Sequence, residues 1–80
     1  MPTILYEQGF RFSFFAGDRE EPPHVHVRGG SGRGKWWLRP VRCARTRDFT
    51  RAEVAAIDRI VRANQSYMLR RWDSFFSETA

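Results

Sequence analysis

Scarcity is the first feature of this sequence. It has a single cysteine, Cys43, so no disulfide can close within the chain, and a reducing, cytoplasmic setting is the expected one. Lys35 is the only lysine among 14 basic residues; the others are arginine. No apolar stretch approaches the roughly 20 residues that a bilayer-crossing helix needs. No charged-then-apolar leader stands at the start, so no membrane partner is expected. The 80 residues suffice for one domain, expected over residues 1–80, and for one core. Little length remains for a deep substrate cavity, so any catalytic site is expected to be a shallow groove.

Acidic residues are thin in the middle of the chain. The net charge is +5, but residues 1–27 set Arg11 and Arg19 against Glu7, Asp18, Glu20 and Glu21. Residues 52–80 balance four arginines with four acids. Residues 28–51 carry Arg28, Arg33, Lys35, Arg39, Arg42, Arg45, Arg47 and Arg51 against Asp48 alone. So concentrated a positive field attracts a phosphate backbone or an acidic protein. Guanidinium groups favour bidentate contact with either. The plain alternative is a solvated face on which arginine stands in for lysine.

Aromatic residues are plentiful: three Trp, two Tyr and seven Phe. Phe10, Phe12 and Phe14 alternate with Arg11 and Ser13, which predicts a half-buried strand, with Ile4-Leu5-Tyr6 as its hairpin partner. Gly17 to Glu21 reads as a polar turn, closed by Pro22-Pro23, which cannot sit inside a central strand. His24-Val25-His26-Val27-Arg28 resumes alternation. Gly29 to Gly34 reads as a flexible hairpin tip, Lys35 to Leu38 as a strand stopped by Pro40, and Val41 to Arg45 as a short edge strand.

Thr50 and Glu53 fit a capping box, with Phe49 and Val54 at the two positions of a hydrophobic staple. Apolar residues then recur at helical spacing from Val54 to Phe76. One straight helix over residues 51–76 would be about 39 Å long at 1.5 Å per residue, against a radius of gyration of about 12 Å for a domain of this size. A break near Asn64-Gln65-Ser66 is therefore expected. The fold class is α+β: an antiparallel sheet of four to five strands over residues 4–45, packed by one bent helix or two helices over residues 51–76.

Gly29 to Lys35 matches the GxxxxGK pattern of phosphate-cradling loops. That mechanism needs a hydroxyl residue next and then a helix. Trp36 and a strand follow instead, so the match reads as a hairpin. His24 and His26 stand two apart on a strand and so face one way, about 7 Å apart. Such a pair can divide acid and base duties in RNA cleavage, with Lys35 and nearby arginines steadying charge on phosphate. It can also serve as two metal ligands, but Asp18, Glu20, Glu21 and Cys43, the available partners, have no recognisable spacing. Neither a metal nor another cofactor is expected. Purely structural histidines are the third reading. Of Trp36 and Trp37, which point to opposite faces, one is expected in the core. The other, if Trp37, shares a face with Lys35 and Arg39, as an aromatic that stacks RNA bases or anchors a protein interface. Cys43 reads as a small buried hydrophobe.

The run Glu21-Pro22-Pro23-His24-Val25-His26-Val27, the run Lys35-Trp36-Trp37-Leu38 with Pro40-Val41, and Phe49 before a helix ending in Trp72 and Phe76 together resemble the family of domain of unknown function 4160. The likeness begins at Met1-Pro2-Thr3-Ile4 and covers nearly the whole chain. The resemblance implies a small bacterial or archaeal protein encoded beside another small gene, in an arrangement similar to toxin–antitoxin pairs. It settles no activity. Two positions depart from the family pattern: Asp48 stands where many members have glycine, and Asp73 where many have histidine or asparagine. The positions carried over are His24, His26, Lys35 and Trp37, with Trp72 as a neighbour.

Three functions are weighed. The first is a basic module of a toxin–antitoxin-like pair that binds RNA or an acidic partner, such as the product of the neighbouring small gene, through Arg33, Lys35, Trp37, Arg39, Arg42 and Arg45. The second is a metal-independent ribonuclease using His24, His26 and Lys35. The third is a metal-binding protein built on the two histidines. Nothing in the pattern specifies an oligomeric state.

Overall fold

The computed structural model describes residues 3–78; Met1, Pro2, Thr79 and Ala80, including the first half of the Met1-Pro2-Thr3-Ile4 start, lie outside the described residues. Five strands run in order: β1 (Thr3–Glu7), β2 (Phe10–Ser13), β3 (His24–Gly29), β4 (Gly32–Leu38) and β5 (Val41–Arg47). Each pairs antiparallel with the next, so the sheet is a plain meander. Two helices follow, α1 (Arg51–Ala63) and α2 (Gln65–Glu78). This is the α+β architecture that the patterning predicts, with the sheet slightly longer at both ends.

Both helices lie on one face of the sheet. Phe10, Phe12, Val25, Val27, Trp36 and Leu38 are buried there against Ile57, Ile60, Val61, Met68, Trp72 and Phe76. Each large apolar side chain removed from water in this way stabilises the fold by about 1.5–3 kcal/mol. Polar side chains then fix the helices at particular places on the sheet. Trp36 donates its indole N–H to Asp58 Oδ1 at 3.1 Å, and Gln65 Nε2 donates to the Leu38 carbonyl at 2.7 Å. The Tyr67 hydroxyl donates to the Ile4 carbonyl at 2.7 Å.

The predicted helix break falls at Asn64. Its N–H reaches back to the carbonyls of Ile60 and Val61, its side-chain amide donates to Ile60 O, and Met68 N–H takes up its carbonyl. The chain can thus turn without orphaning backbone groups. The radius of gyration is 11.8 Å. At the other end, Glu53 N–H donates to Thr50 Oγ1 at 3.0 Å and Thr50 N–H to Glu53 Oε1 at 2.8 Å, a complete capping box. Asp48 has φ of 61°. That left-handed conformation suits glycine, and aspartate is among the few other residues that tolerate it.

Two expectations about loops are corrected. Ala16–Glu20 is a short 3-10 helix rather than an open turn. The glycine-rich stretch is mostly strand rather than a flexible tip: Gly29 pairs with Gly32, and only Gly30 and Ser31 bridge them. Gly29 and Gly32 leave room for aromatic rings close against the backbone. A Cβ on Gly32 would come within 2.3 Å of Phe49 Cδ1, and one on Gly29 within 2.7 Å of Phe10 Cδ1. The two rings meet edge to face with centroids 5.8 Å apart.

Two stability outcomes are expected. Thr50→Ala should cost about 1 kcal/mol through the lost cap, read as a lower denaturant midpoint at unchanged slope. Gly32→Ala should cost about 1–3 kcal/mol by overpacking; a midpoint equal to the parent's would show that Phe49 does not depend on the missing Cβ.

Candidate functional site

In an antiparallel pair, residues directly opposite share a face. On the face away from the helices, the register builds a row across four strands: Arg11 opposite Arg28, Arg28 opposite Arg33, and Arg33 opposite Arg47. The next row runs Ser13, His26, Lys35 and Arg45, and a third runs His24, Trp37 and Arg42. Between Arg45 and Cys43 the pairing skips Ala44, a bulge in β5. Because of it, Arg42 and Arg45, three apart in sequence, both land on the open face.

With strands about 4.8 Å apart, the arginine row spans about 14 Å. Like charges directly opposite one another destabilise a sheet. Among the described residues, no acidic side chain pairs with Arg28, Arg33, Arg42, Arg45 or Arg47. Among the described residues Arg11 meets the Tyr6 hydroxyl at 2.6 Å and lies over the Tyr6 ring. The arginines border a groove of about 450 Å³, floored partly by Phe15 and His26.

Lys35 differs from the arginines. It is 6% exposed, ion-pairs with Glu21 and sits 4.6 Å above the centre of the Trp37 ring. That bond from Lys35 is the main reason the Glu21 carboxyl lies below its ordinary range.

Beside it, the 3-10 helix delivers Asp18 to both histidines. His26 Nε2 lies 3.1 Å and His24 Nε2 3.2 Å from the same oxygen, Asp18 Oδ1, while Asp18 Oδ2 accepts from Phe15 N–H at 2.8 Å. His24 also has Nδ1 2.9 Å from the Pro22 carbonyl and packs its buried ring on Trp37 and Trp72, with centroids 5.6 and 5.4 Å apart. Burial works against the Asp18 charge, but the bonds from Phe15 and His26 and electrostatic attraction to His26 and His24 outweigh it, and its carboxyl is held below the ordinary 3.8. Cys43 is half-buried, and burial, then Asp58, pushes its thiol up, away from nucleophile chemistry.

Glu21, His24, His26, Lys35, Trp37 and Trp72 of this arrangement are among the residues on which the sequence resemblance rests. The model of the family described as domain of unknown function, DUF4160, matches residues 9–73. The chain belongs to that family. No curated protein and no solved structure matches it. The DUF4160 fold brings together His24, His26, Lys35 and Trp37, with Trp72 against His24, as the family carry-over implies. Arg33, Lys35, Trp37, Arg42 and Arg45 share the open face, whereas Arg39 stands exposed in the turn between β4 and β5. Asp73 is exposed on α2 beside buried Trp72.

Sequence reasoning leaves Arg11, Arg28 and Arg47 out of the site and gives Asp18 no spacing. The strand alternation carries the signal for the first three once the register is known. Asp18 is placed only by the turn, eight residues before His26. No helix of the described residues is long and apolar enough to cross a membrane.

If the arginine row is electrostatically strained, Arg33→Thr should stabilise the free protein by about 0.2–1 kcal/mol at low salt. Thermal melts should show that gain shrinking as salt screens the row; a lower melting temperature at every salt concentration would contradict the strain.

Proposed function

We propose that this DUF4160 domain binds single-stranded RNA along the open face of its sheet. The observation that carries the reading is the row Arg11, Arg28, Arg33 and Arg47, stacked across four strands with no acidic partner among the described residues. A folded protein that keeps four like charges in register gains from a partner that brings a line of negative charge. A phosphate backbone is such a line, and guanidinium groups meet its oxygens two at a time. Aromatic rings beside the row supply the second requirement of single-strand recognition, a surface for bases. Tyr6 is exposed at one end, while Phe15 and Trp37 are partly exposed alongside. An open sheet face with cations and rings suits unpaired bases more than a duplex groove.

The reading is one of binding rather than cleavage. Both histidines turn Nε2 onto Asp18, and Lys35 is tied to Glu21. The groups nominated for acid, base and charge stabilisation are therefore engaged with carboxylates. In the cell such a module belongs in the cytoplasm. An antitoxin-like or toxin-like role beside a neighbouring small gene would use the same face.

Fluorescence anisotropy with a short labelled RNA tests this. Each phosphate contact contributes about −0.7 to the slope of log K against log salt, so four contacts give about −2.8. Arg28→Gln/Arg33→Gln should flatten the slope by about 1.4, while Arg70→Gln/Arg71→Gln on α2 should leave it unchanged. Absence of RNA binding at low salt, with tight capture of an acidic neighbouring-gene product, would instead make the face a protein-docking surface.

A further inference from the structure

We propose that Asp18, His24 and His26 form a binding site for a first-row divalent transition metal, with zinc as the natural probe. The expectation from sequence is that no metal binds, because two histidines alone are too few ligands. The fold supplies the third. One ligand atom from each of the three residues lies within 4.8 Å of the others, the one such group of three metal-ligating side chains found among the described residues.

The spacing suits a small ion. Zinc bonds of about 2.0–2.2 Å in tetrahedral array put ligand atoms roughly 3.3 Å apart. The two nitrogen-to-oxygen edges already measure 3.1 and 3.2 Å. Two imidazoles with one carboxylate are also a donor set suited to zinc and its neighbours rather than to magnesium or calcium, which favour oxygen alone.

Hydrogen-bond counting gives an independent reason. His24 Nδ1 lies 2.9 Å from the Pro22 carbonyl, which can only accept, so the ring proton is on Nδ1. His24 Nε2 then presents a lone pair to Asp18 Oδ1, itself an acceptor, at 3.2 Å. A cation held between that lone pair and the carboxylate oxygen would satisfy both. The contact to Pro22 is also the outer-shell bond that metal-ligating histidines characteristically make, with the far nitrogen donating to a carbonyl. Phe15 N–H, bonded to Asp18 Oδ2, does the same for the carboxylate and leaves Oδ1 for the ion. His24 is buried, but His26 keeps 21% and Asp18 11% of the side chain exposed, which gives the ion an entry path and a fourth position for water.

This inference does not rest on RNA binding, and its test needs no RNA. Full-length protein stripped with chelator is titrated with cobalt(II) and, separately, zinc, and is scored for visible cobalt absorption, for zinc per chain after dialysis, and for thermal stability. The expected results are one ion per chain, a d–d band of a low-symmetry nitrogen–oxygen site, and a melting temperature that rises with zinc but not with magnesium. Asp18→Asn keeps the shape of the side chain. It should lower zinc affinity by more than the roughly 10–100-fold that loss of an outer-shell partner costs. His26→Gln should do likewise, independently of any damage at buried His24. Fewer than about one ion in ten chains, with no cobalt band in the folded parent, would overturn the site, as would zinc binding undiminished in both variants.

Discussion

Guanidinium groups held opposite one another on neighbouring strands are the interaction from which the rest of this structure takes its meaning. Strand pairing leaves Arg11, Arg28, Arg33 and Arg47 no choice of face. The register that buries Phe12, Val25, Val27 and Trp36 beneath the helices also aligns the arginines on the other side. A slip of one residue would exchange the two sets and expose the core. Hydrophobic burial, worth many times the repulsion among surface charges, thus fixes the charged row in place.

Such a division explains why the two helices contribute so little of the candidate site. They cover one face and are pinned to it by Asp58, Gln65 and Tyr67. Only Trp72 reaches the other chemistry, through its contact with His24. Around that contact the structure changes character. Among the described residues the arginine row is exposed and has no acidic partner, whereas Asp18 lies against both histidines and Glu21 against Lys35 beside β3. One region carries the positive charge that the proposed RNA would meet; the other holds the three proposed metal ligands.

Much of the fold was legible because it depends on local pattern. Alternation at Phe10 to Phe14, the box of Thr50 and Glu53, and the polar break at Asn64 each act within a few residues. The glycines misled because composition suggests freedom, while their use here is to admit the rings of Phe10 and Phe49. The candidate site was legible in its histidines, its lysine and half of its open-face arginines, Arg33, Arg42 and Arg45. Arg28 and Arg47 could not be separated from Arg39 without the register, and the bulge at Ala44 that brings Arg42 and Arg45 to one face has no signature in sequence. Asp18 is the residue that most needed coordinates, since a 3-10 helix and two prolines, not a periodicity, carry it to both imidazoles.

Mapping the bound face is the most direct measurement of what the arginine row is for. Backbone amide shifts recorded while a short single-stranded RNA is added should move in β2, β3, β4 and β5 around Arg11, Arg28, Arg33 and Arg47, with α1 and α2 unperturbed. Shifts confined to the helices, or spread evenly over the surface, would contradict the assignment of the open face as the binding surface.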